Sequence, residues 1–163
     1  MDGLTGNRKG AIAEAGISAA AIRQGIDVYK PAAEHGRCDL ILDHQDRLLR
    51  VQCKWASLCG DVIKVSLRTS RHTPRNGYVQ TTYGPDEVDA VAIYCPQLHQ
   101  CYLSPISLVA RRNMIHLRVG PPRNNQKLGL KWAEQYELGA IAQLGERVTG
   151  SHEVAGSSPA SST

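Results

Sequence analysis

Three side chains near the middle of the chain carry groups that could together bind a metal ion and hydrolyse a phosphodiester. Asp39 opens a short apolar segment, and Gln52 and Lys54 lie two residues apart in the next one. In adjacent strands, Asp39, Gln52 and the backbone carbonyl of Cys53 would supply hard oxygen ligands of the kind that Mg²⁺ prefers. Lys54 beside such an ion could orient the attacking water or stabilise charge developing on a phosphate.

Glu14 could add a second carboxylate to this site. It lies in the first predicted helix and would reach the other groups only if that helix packs across the sheet. Structural explanations stay open, because an acid one turn into a helix interacts favourably with the helix dipole. An Asp at a strand start beside a polar strand face is also common, so the spacing alone indicates a site only weakly.

The segments around these residues have the periodicity of one helix followed by strands. Residues 8–25 carry a broad apolar stripe through Ile12, Ile17 and Ile22 and stop at Gly25, which predicts a helix. Strands are predicted over residues 27–30, 39–43 and 47–55. A polar turn joins the last two.

The strand over residues 47–55 alternates with a period of two. Its apolar face holds Leu49, Val51, Cys53 and Trp55, and its polar face holds Arg50, Gln52 and Lys54. Because successive side chains of a strand point to opposite faces, Gln52 and Lys54 should project on the same side.

The remainder of the chain continues the pattern of strands and short helices. The elements predicted are a strand over 61–69, a long surface loop over 70–85, strands over 88–94 and 100–103, a short helix over 106–112, a loop over 120–125 and a final helix over 126–138. This order predicts an α/β domain with a mixed central sheet flanked by helices.

Length and composition exclude several classes of protein. The 163 residues are enough for one domain, and 42% hydrophobic with 21% charged residues is a globular balance. There is no run of eighteen apolar residues and no signal-peptide pattern, which predicts a cytoplasmic protein with no membrane partner. Five cysteines, with no CxxC spacing, favour neither a disulfide framework nor a zinc site.

The formal net charge is only +4, but the charges are unevenly distributed. Residues 47–75 contain seven bases and one acid, Asp61, and no acid occurs between Asp89 and Glu134. One-signed stretches of this kind suit a polyanion, because bases that meet phosphates release condensed counterions. A solvated basic surface is the alternative explanation.

Residues 139–163 are rich in Gly, Ser and Ala, which predicts a disordered tail. The tail also resembles an accidental translation of a transfer-RNA gene, because residues 141–147 can be encoded by a D-arm and residues 156–159 by a T-arm. An ordinary flexible tail is the alternative. In either case the functional domain should comprise residues 1–138.

The wider pattern resembles the PD-(D/E)xK nuclease superfamily, and within it the group I intron-associated, homing-type endonucleases. More distantly it is similar to the archaeal Holliday-junction resolvases. The likeness extends over residues 8–138, and the motifs that carry it are Lys9-Gly10-x-x-Ala13-Glu14, Arg37-Cys38-Asp39-Leu40-Ile41, Val51-Gln52-Cys53-Lys54, Asp86-Glu87-Val88-Asp89 and Cys101-Tyr102-Leu103-x-Pro105.

The resemblance implies a restriction-endonuclease-like core with Asp39 as the motif aspartate, Lys54 as the motif lysine and Glu14 as the helix-borne acid. Gln52 stands where the second motif acid is usual, as in the intron-associated branch, and Cys38 stands where a proline is usual. The implied cofactor is Mg²⁺, with Mn²⁺ as a substitute, and the implied substrate is double-stranded DNA. A neutral ligand at Gln52 predicts weaker divalent-ion binding or a greater dependence on Glu14.

The resemblance also implies a homodimer or tetramer, because cutting both strands of a duplex takes two active sites. Phosphate contacts are expected from the bases that follow the motif, which are Arg68, Arg71, Arg75, Arg111, Arg112 and Arg123.

Three alternatives stay open. The chain could be a structure-selective nuclease that cuts four-way junctions, or a DNA-binding module in which Gln52 marks a decayed site. It could also be a degenerate reading frame that is not expressed, which the tail makes worth testing.

Overall fold

A computed structural model describes residues 3–32, 36–44, 47–73, 77–122 and 128–140. These residues fold into a long helix at the N-terminus, nine strands, one short helix and two 3-10 turns. Of the tail predicted over 139–163, residues 141–163 lie outside the described residues. Leu138, at the predicted end of the domain, is buried in the core.

Helix α1 spans Gly6–Arg23, within two residues of the predicted bounds. Thr5 caps it by accepting a hydrogen bond from the Arg8 N–H, and Gly25 follows its end at a φ of 74°. The buried face is only one part of the predicted stripe. Ala13, Ile17 and Ala21, each four residues apart, are buried, whereas the predicted Ile12 and Ile22 are 39% and 63% exposed. Small residues at 13 and 21 let the helix lie close to the sheet.

The strands and remaining helices follow in chain order. They are β1 Asp27–Tyr29, β2 Leu40–His44, β3 Arg47–Cys59, β4 Val62–Ser66, β5 Thr69–Thr73, β6 Gly77–Thr81, β7 Ala90–Cys95, β8 Gln100–Pro105, α2 Ile106–Val109, β9 Met114–Arg118 and the 3-10 turns Ala133–Tyr136 and Leu138–Ala140.

A mixed seven-stranded sheet forms the centre of the molecule, as predicted, and β3 is its longest strand. The first part of β3 pairs antiparallel with β2 and parallel with β7, and its last part pairs antiparallel with β4. Strand β4 in turn pairs with β9. Strand β3 continues beyond the residues that pair with β2 and β7. Its last residues therefore form a further part of the sheet together with β4 and β9.

Two cores lie on opposite faces of this sheet. Helix α1 covers one face, where Leu40, Val51 and Cys53 are buried. The second core lies on the other face and includes Ala56 and Val91. The predicted alternation of β3 is therefore confirmed, and Gln52 and Lys54 lie on the face away from α1.

Four predictions about the elements are wrong or incomplete. The loop predicted over 70–85 contains the β5–β6 hairpin, whose strands are polar and so lack apolar alternation. Its signal was the Asn-Gly at 76–77, a typical hairpin turn, and Gly77 has a φ of 62°. Strand β9 was not predicted, and the helix predicted over 106–112 ends at Val109. The helix predicted over 126–138 is wrong, because its described part forms only short 3-10 turns.

No described helix is long and apolar enough to cross a membrane. All five cysteines are free thiols, and three of them are buried, namely Cys53, Cys95 and Cys101. Within the described ranges, no three His, Cys, Asp or Glu side chains are grouped as a metal site.

Candidate active site

Asp39 lies immediately before β2 and is fixed against β3 by its backbone and its side chain. Its N–H donates to the Val51 carbonyl at 2.9 Å. Its Oδ2 accepts hydrogen bonds from the Cys53 N–H at 2.8 Å and from the Gln52 amide Nε2. Because Leu40 pairs with Val51 in the register of the two strands, Asp39 faces Gln52 directly. The predicted juxtaposition of Asp39 and Gln52 is thus present in the structure.

The Asp39 carboxylate is partly removed from water. Burial raises its pKa above the usual value, and the negative charge of Glu14 contributes in the same direction. The Cys53 N–H and the positive charge of Lys54 lower the pKa and only partly offset the burial. A nearby cation would therefore stabilise the ionised form of this carboxylate.

Lys54 extends on the same face of β3 as Gln52. Its ammonium Nζ donates to the Arg68 carbonyl at 3.2 Å and lies 5.1 Å from the centroid of the Tyr83 ring. No carboxylate of the described residues lies within ion-pair distance of Lys54. The ammonium is therefore held by a carbonyl and an aromatic face, and not by an ion pair among the described residues.

Tyr83 is buried at 3% exposure beside Lys54, and Arg37 lies over the same ring at 5.1 Å from Cζ to the centroid. Arg37 also donates to the Thr81 hydroxyl and the Thr82 carbonyl, and its Nε lies 2.7 Å from Glu87. Sequence reasoning placed Arg37 only within the family motif and gave it no role. Its function is to tie the segment before Tyr83 to the start of β2.

A second arginine holds the other end of the same loop. Arg50, two residues before Gln52, forms an ion pair with Asp89 at 2.9 Å and donates to the Asp86 carbonyl at 2.7 Å. The Asp89 carboxylate also accepts the Arg50 backbone N–H at 2.8 Å. The loop over 82–89 is thus fixed to β3 by Arg50 and to the segment before β2 by Arg37.

Glu14 lies on α1, which packs on the opposite face of the sheet from Gln52. Its carboxylate forms an ion pair with Lys30 at 2.8 Å, and this pairing raises the pKa of Lys30. Glu14 is still near enough to influence the pKa of both Asp39 and Cys53. It lies at the edge of the candidate site with its charge already matched by Lys30.

The groups at Asp39 fit a hard divalent cation. The carboxylate and the Gln52 amide are in contact, and rotation of the amide exchanges its nitrogen for its oxygen at the same place. The N–H and C=O of one strand residue point to the same side, so the Cys53 carbonyl is directed toward the Asp39 side as well. The donor set is one carboxylate and two neutral oxygens, which suits Mg²⁺ or Mn²⁺ rather than a soft metal.

Comparison with known families identifies the family to which this chain belongs. A family model described as PD-(D/E)XK endonuclease matches residues 5–139. The chain belongs to the PD-(D/E)XK endonuclease family. The match includes every residue of the candidate site, from Glu14 to Lys54.

The fold of this PD-(D/E)XK protein is similar to a solved structure described as a bacterial homing endonuclease, I-Ssp6803I. The TM-score is 0.69 at 22% sequence identity, over 93% of this chain and 100% of that chain. The restriction-endonuclease-like α/β fold predicted from the sequence is confirmed. No curated protein matches the sequence at a significant level.

The bases predicted to contact phosphate are only partly brought to the motif. Arg68 is exposed beside Lys54, and the backbone N–H of Arg111 donates to the Tyr83 carbonyl at 3.4 Å. Arg112 is exposed next to it. The backbone of Arg71 lies in β5, while Arg75 and Arg123 lie outside the described residues.

A basic groove that the sequence did not predict runs along β9. Four basic side chains, Arg112, His116, Arg118 and Lys131, line a cavity of about 300 Å³ with apolar residues between them. Of the described residues, none that lines this β9 groove is acidic. The signal available in the sequence was the absence of acids between Asp89 and Glu134, but the pairing of β9 with β4 was needed to group these bases.

Proposed function

We propose that this chain is a divalent-metal-dependent endonuclease that hydrolyses phosphodiester bonds in double-stranded DNA and is of the homing type. The observation that carries the proposal is the contact of the partly buried Asp39 carboxylate with Gln52, with Lys54 on the same face of the same strand. Membership in the PD-(D/E)XK endonuclease family supports it.

Asp39, Gln52 and the Cys53 carbonyl are the groups proposed to hold the metal ion. When bound, Mg²⁺ or Mn²⁺ supplies Lewis-acid polarisation of the phosphate and activation of the attacking water. The protein's part is to keep these oxygens at one place before the ion arrives. The hydrogen bonds from Cys53 and to Val51 do this for Asp39, because they fix its backbone and one carboxylate oxygen.

Lys54 is proposed to act on the phosphate and the attacking water. Its ammonium can donate three hydrogen bonds, of which one goes to the Arg68 carbonyl. The remaining donors are available to a phosphate oxygen or to a water. A fixed positive charge stabilises the negative charge that develops on the phosphate in the transition state.

Glu14 and Gln52 divide the role that a second motif acid usually fills. Gln52 contributes an oxygen without charge, so the cation is held by one carboxylate and its binding is weaker. Glu14 is the only other acid proposed for the site, and the ion pair with Lys30 must loosen for it to take part. Because the site has little negative charge, a proton on the Asp39 carboxylate competes with the binding of a metal ion.

Double-stranded DNA is the proposed partner, and the bases beside the motif are its proposed contacts. Arg68, Arg111 and Arg112 lie on the segments that meet Lys54 and Tyr83. Arg71, Arg75 and Arg123 are retained as candidate contacts from the sequence. The β9 groove extends the basic surface away from the motif.

The remaining parts of the proposal concern organisation and origin. We infer a homodimer or tetramer, because one domain carries one motif and a duplex has two strands. The endonuclease domain is taken as residues 1–138, and residues 139–163 as a tail that resembles a transfer-RNA gene read in frame. Association with a group I intron or another mobile element is proposed from the resemblance, and action in the cytoplasm stays a prediction from the sequence.

A structure-selective nuclease is the second candidate for the reaction. Its test is a comparison of two substrates with the full chain: a supercoiled plasmid that carries the genomic neighbourhood of the gene, and a four-way DNA junction. Discrete cutting of the plasmid in Mg²⁺, abolished by EDTA, supports a homing-type enzyme. Cutting of the junction alone would replace it with the resolving activity.

A DNA-binding module without catalysis is the outcome if neither substrate is cut in Mg²⁺ or Mn²⁺ while salt-sensitive binding persists. The Gln52→Glu variant then tests whether a lost carboxylate explains the inactivity. Absence of the chain from extracts of its host would instead favour a reading frame that is not expressed.

A further inference from the structure

We propose that Tyr83 is the positioning residue of Lys54, and that it acts through the face of its aromatic ring rather than through its hydroxyl. The proposal rests on the proposed nuclease function of Lys54. Tyr83 lies about thirty positions after Lys54 in the sequence. Through it, the loop over 82–89 would influence the position of the Lys54 ammonium.

The first observation is the contact between the ring and the ammonium. Lys54 Nζ lies 5.1 Å from the ring centroid, within the distance at which an aromatic face attracts a cation. Tyr83 is 3% exposed, so water screens this attraction less than at an open surface. Arg37 lies over the same ring, but its charge is matched by Glu87 at 2.7 Å. Lys54 has no such acid partner among the described residues, so the ring matters most to Lys54.

The second observation is how firmly the ring itself is placed. The carbonyl of Tyr83 accepts the Arg111 N–H, and the preceding carbonyl of Thr82 accepts a hydrogen bond from Arg37. The Gly84 N–H donates to Glu87, which also contacts Arg37. Each residue from 82 to 84 is thus tied to another element or to the loop itself. The ring presents a fixed surface to a side chain that is otherwise flexible.

The third observation separates the ring from its hydroxyl. The Tyr83 Oη is buried, and it has no hydrogen-bond partner among the described residues. Removal of an unpaired buried hydroxyl costs little stability, since no hydrogen bond is lost. Phenylalanine at this position should therefore keep the fold, the ring and the ring's hold on the ammonium.

These observations together give the consequence for the reaction. A lysine side chain has four rotatable bonds, and without the ring the Arg68 carbonyl is the one hydrogen-bond partner among the described residues that would restrain the ammonium. Loss of the ring would spread Lys54 over several rotamers and lower the fraction aligned with the phosphate. The effect falls on the chemical step, because DNA affinity comes mainly from the many bases along the surface.

The test compares single-turnover cleavage by the full chain and its variants Tyr83→Phe and Tyr83→Leu, with DNA affinity measured separately in Ca²⁺. We expect Tyr83→Phe to cleave within about two-fold of the natural chain and Tyr83→Leu to lose about ten-fold in rate with affinity unchanged. The matched control is Tyr102→Leu, because Tyr102 is also 3% exposed in the same core but lies over neither cation. Its rate should be unchanged even where its Tm falls.

A second measurement keeps the fold constant. Phenylalanines carrying one, two and three fluorines at position 83 keep the ring shape while weakening the negative charge of its face. The cleavage rate should fall with each added fluorine. A flat series, a Tyr83→Phe variant as impaired as Tyr83→Leu, or an equal loss in Tyr102→Leu would overturn the proposal. Failure of the natural chain to cut any substrate would instead count against the proposed function, so the two failures are distinguishable.

Discussion

Asp39 and Gln52 face each other across β2 and β3, and one carboxylate oxygen of Asp39 accepts hydrogen bonds from both the Gln52 amide and the Cys53 backbone. Nitrogen donors thus occupy the position that a cation would share. The charge at position 52 is therefore the variable to test in the proposed metal site.

The Gln52→Glu variant should bind divalent ions more tightly and fold less stably without them. A second carboxylate supplies negative charge that attracts the cation. Two acids in contact repel each other when no cation is present. We expect the Mn²⁺ concentration for half-maximal cleavage to fall about ten-fold or more, because carboxylate number sets divalent affinity. The Tm without metal should fall and should recover on addition of Mn²⁺.

The control for this variant is Gln100→Glu, which adds the same charge at the start of β8. It should leave the metal requirement unchanged. An unaltered Mn²⁺ requirement in Gln52→Glu would remove position 52 from the metal site.

The raised pKa of Asp39 predicts that the metal-free protein is destabilised by this carboxylate at neutral pH. The folded pKa is above the unfolded pKa, so stability is lost as pH rises through the unfolded value, about 3.9, to the folded value. Asp39→Asn should therefore have a higher Tm than the natural chain at pH 7, and the difference should vanish at pH 3.

Asp43→Asn, in the strand that follows Asp39, is the control for the melting experiment. A Tm difference for Asp39→Asn that persists unchanged at pH 3 would show that the ionisation of Asp39 is not its cause.

The Arg50–Asp89 pair predicts the opposite pH dependence. The hydrogen bonds from Arg50 lower the pKa of Asp89, so its stabilising effect is present above about pH 4 and is lost as pH falls through the folded value. Asp89→Asn should cost about 1–2 kcal/mol of unfolding free energy at pH 7, measured by urea denaturation. Asp86→Asn in the same loop, whose side chain is exposed, should cost much less.

The β9 groove predicts a salt-dependent contribution to DNA affinity. Arg112→Gln and Lys131→Gln remove charge from the groove without touching the candidate site. Each should weaken binding of duplex DNA in Ca²⁺ and lower the slope of log K against log salt by about 0.9 for one lost phosphate contact. Arg23→Gln, at the end of α1, removes the same charge elsewhere and should leave the slope unchanged. Equal slopes in all of these variants would exclude the groove from the DNA surface.

The sequence predicted the central part of the site because strand geometry links spacing to direction. The alternation in β3 correctly placed Gln52 and Lys54 on one face, and the short segment beginning at Asp39 correctly paired with β3. These inferences needed only neighbouring strands and a period of two. Asp39, Gln52 and Lys54 are therefore motif residues that local rules could also place, whereas the position of Glu14 depended on how α1 packs.

The remaining parts of the site and of the fold depend on long-range pairing. Tyr83 meets Lys54 because Arg37 and Arg50 hold the loop between β6 and β7, which no local pattern records. Strand β9 is defined by its pairing with β4, about fifty residues earlier in the chain. The segment over 128–138 has the composition of a helix, but contacts with β8 and β9 hold it in bridges and 3-10 turns.

The central claim is that Asp39 is the carboxylate of a metal-dependent nuclease centre. The most direct test measures the Mg²⁺-dependent cleavage rate of the full chain against Asp39→Asn. Asp43→Asn, four residues later in β2, is the variant that loses the same charge. We predict a loss of at least about 10³-fold for Asp39→Asn, with DNA binding in Ca²⁺ retained, and a rate for Asp43→Asn within about two-fold of the natural chain. Cleavage by Asp39→Asn at the natural rate would contradict the account.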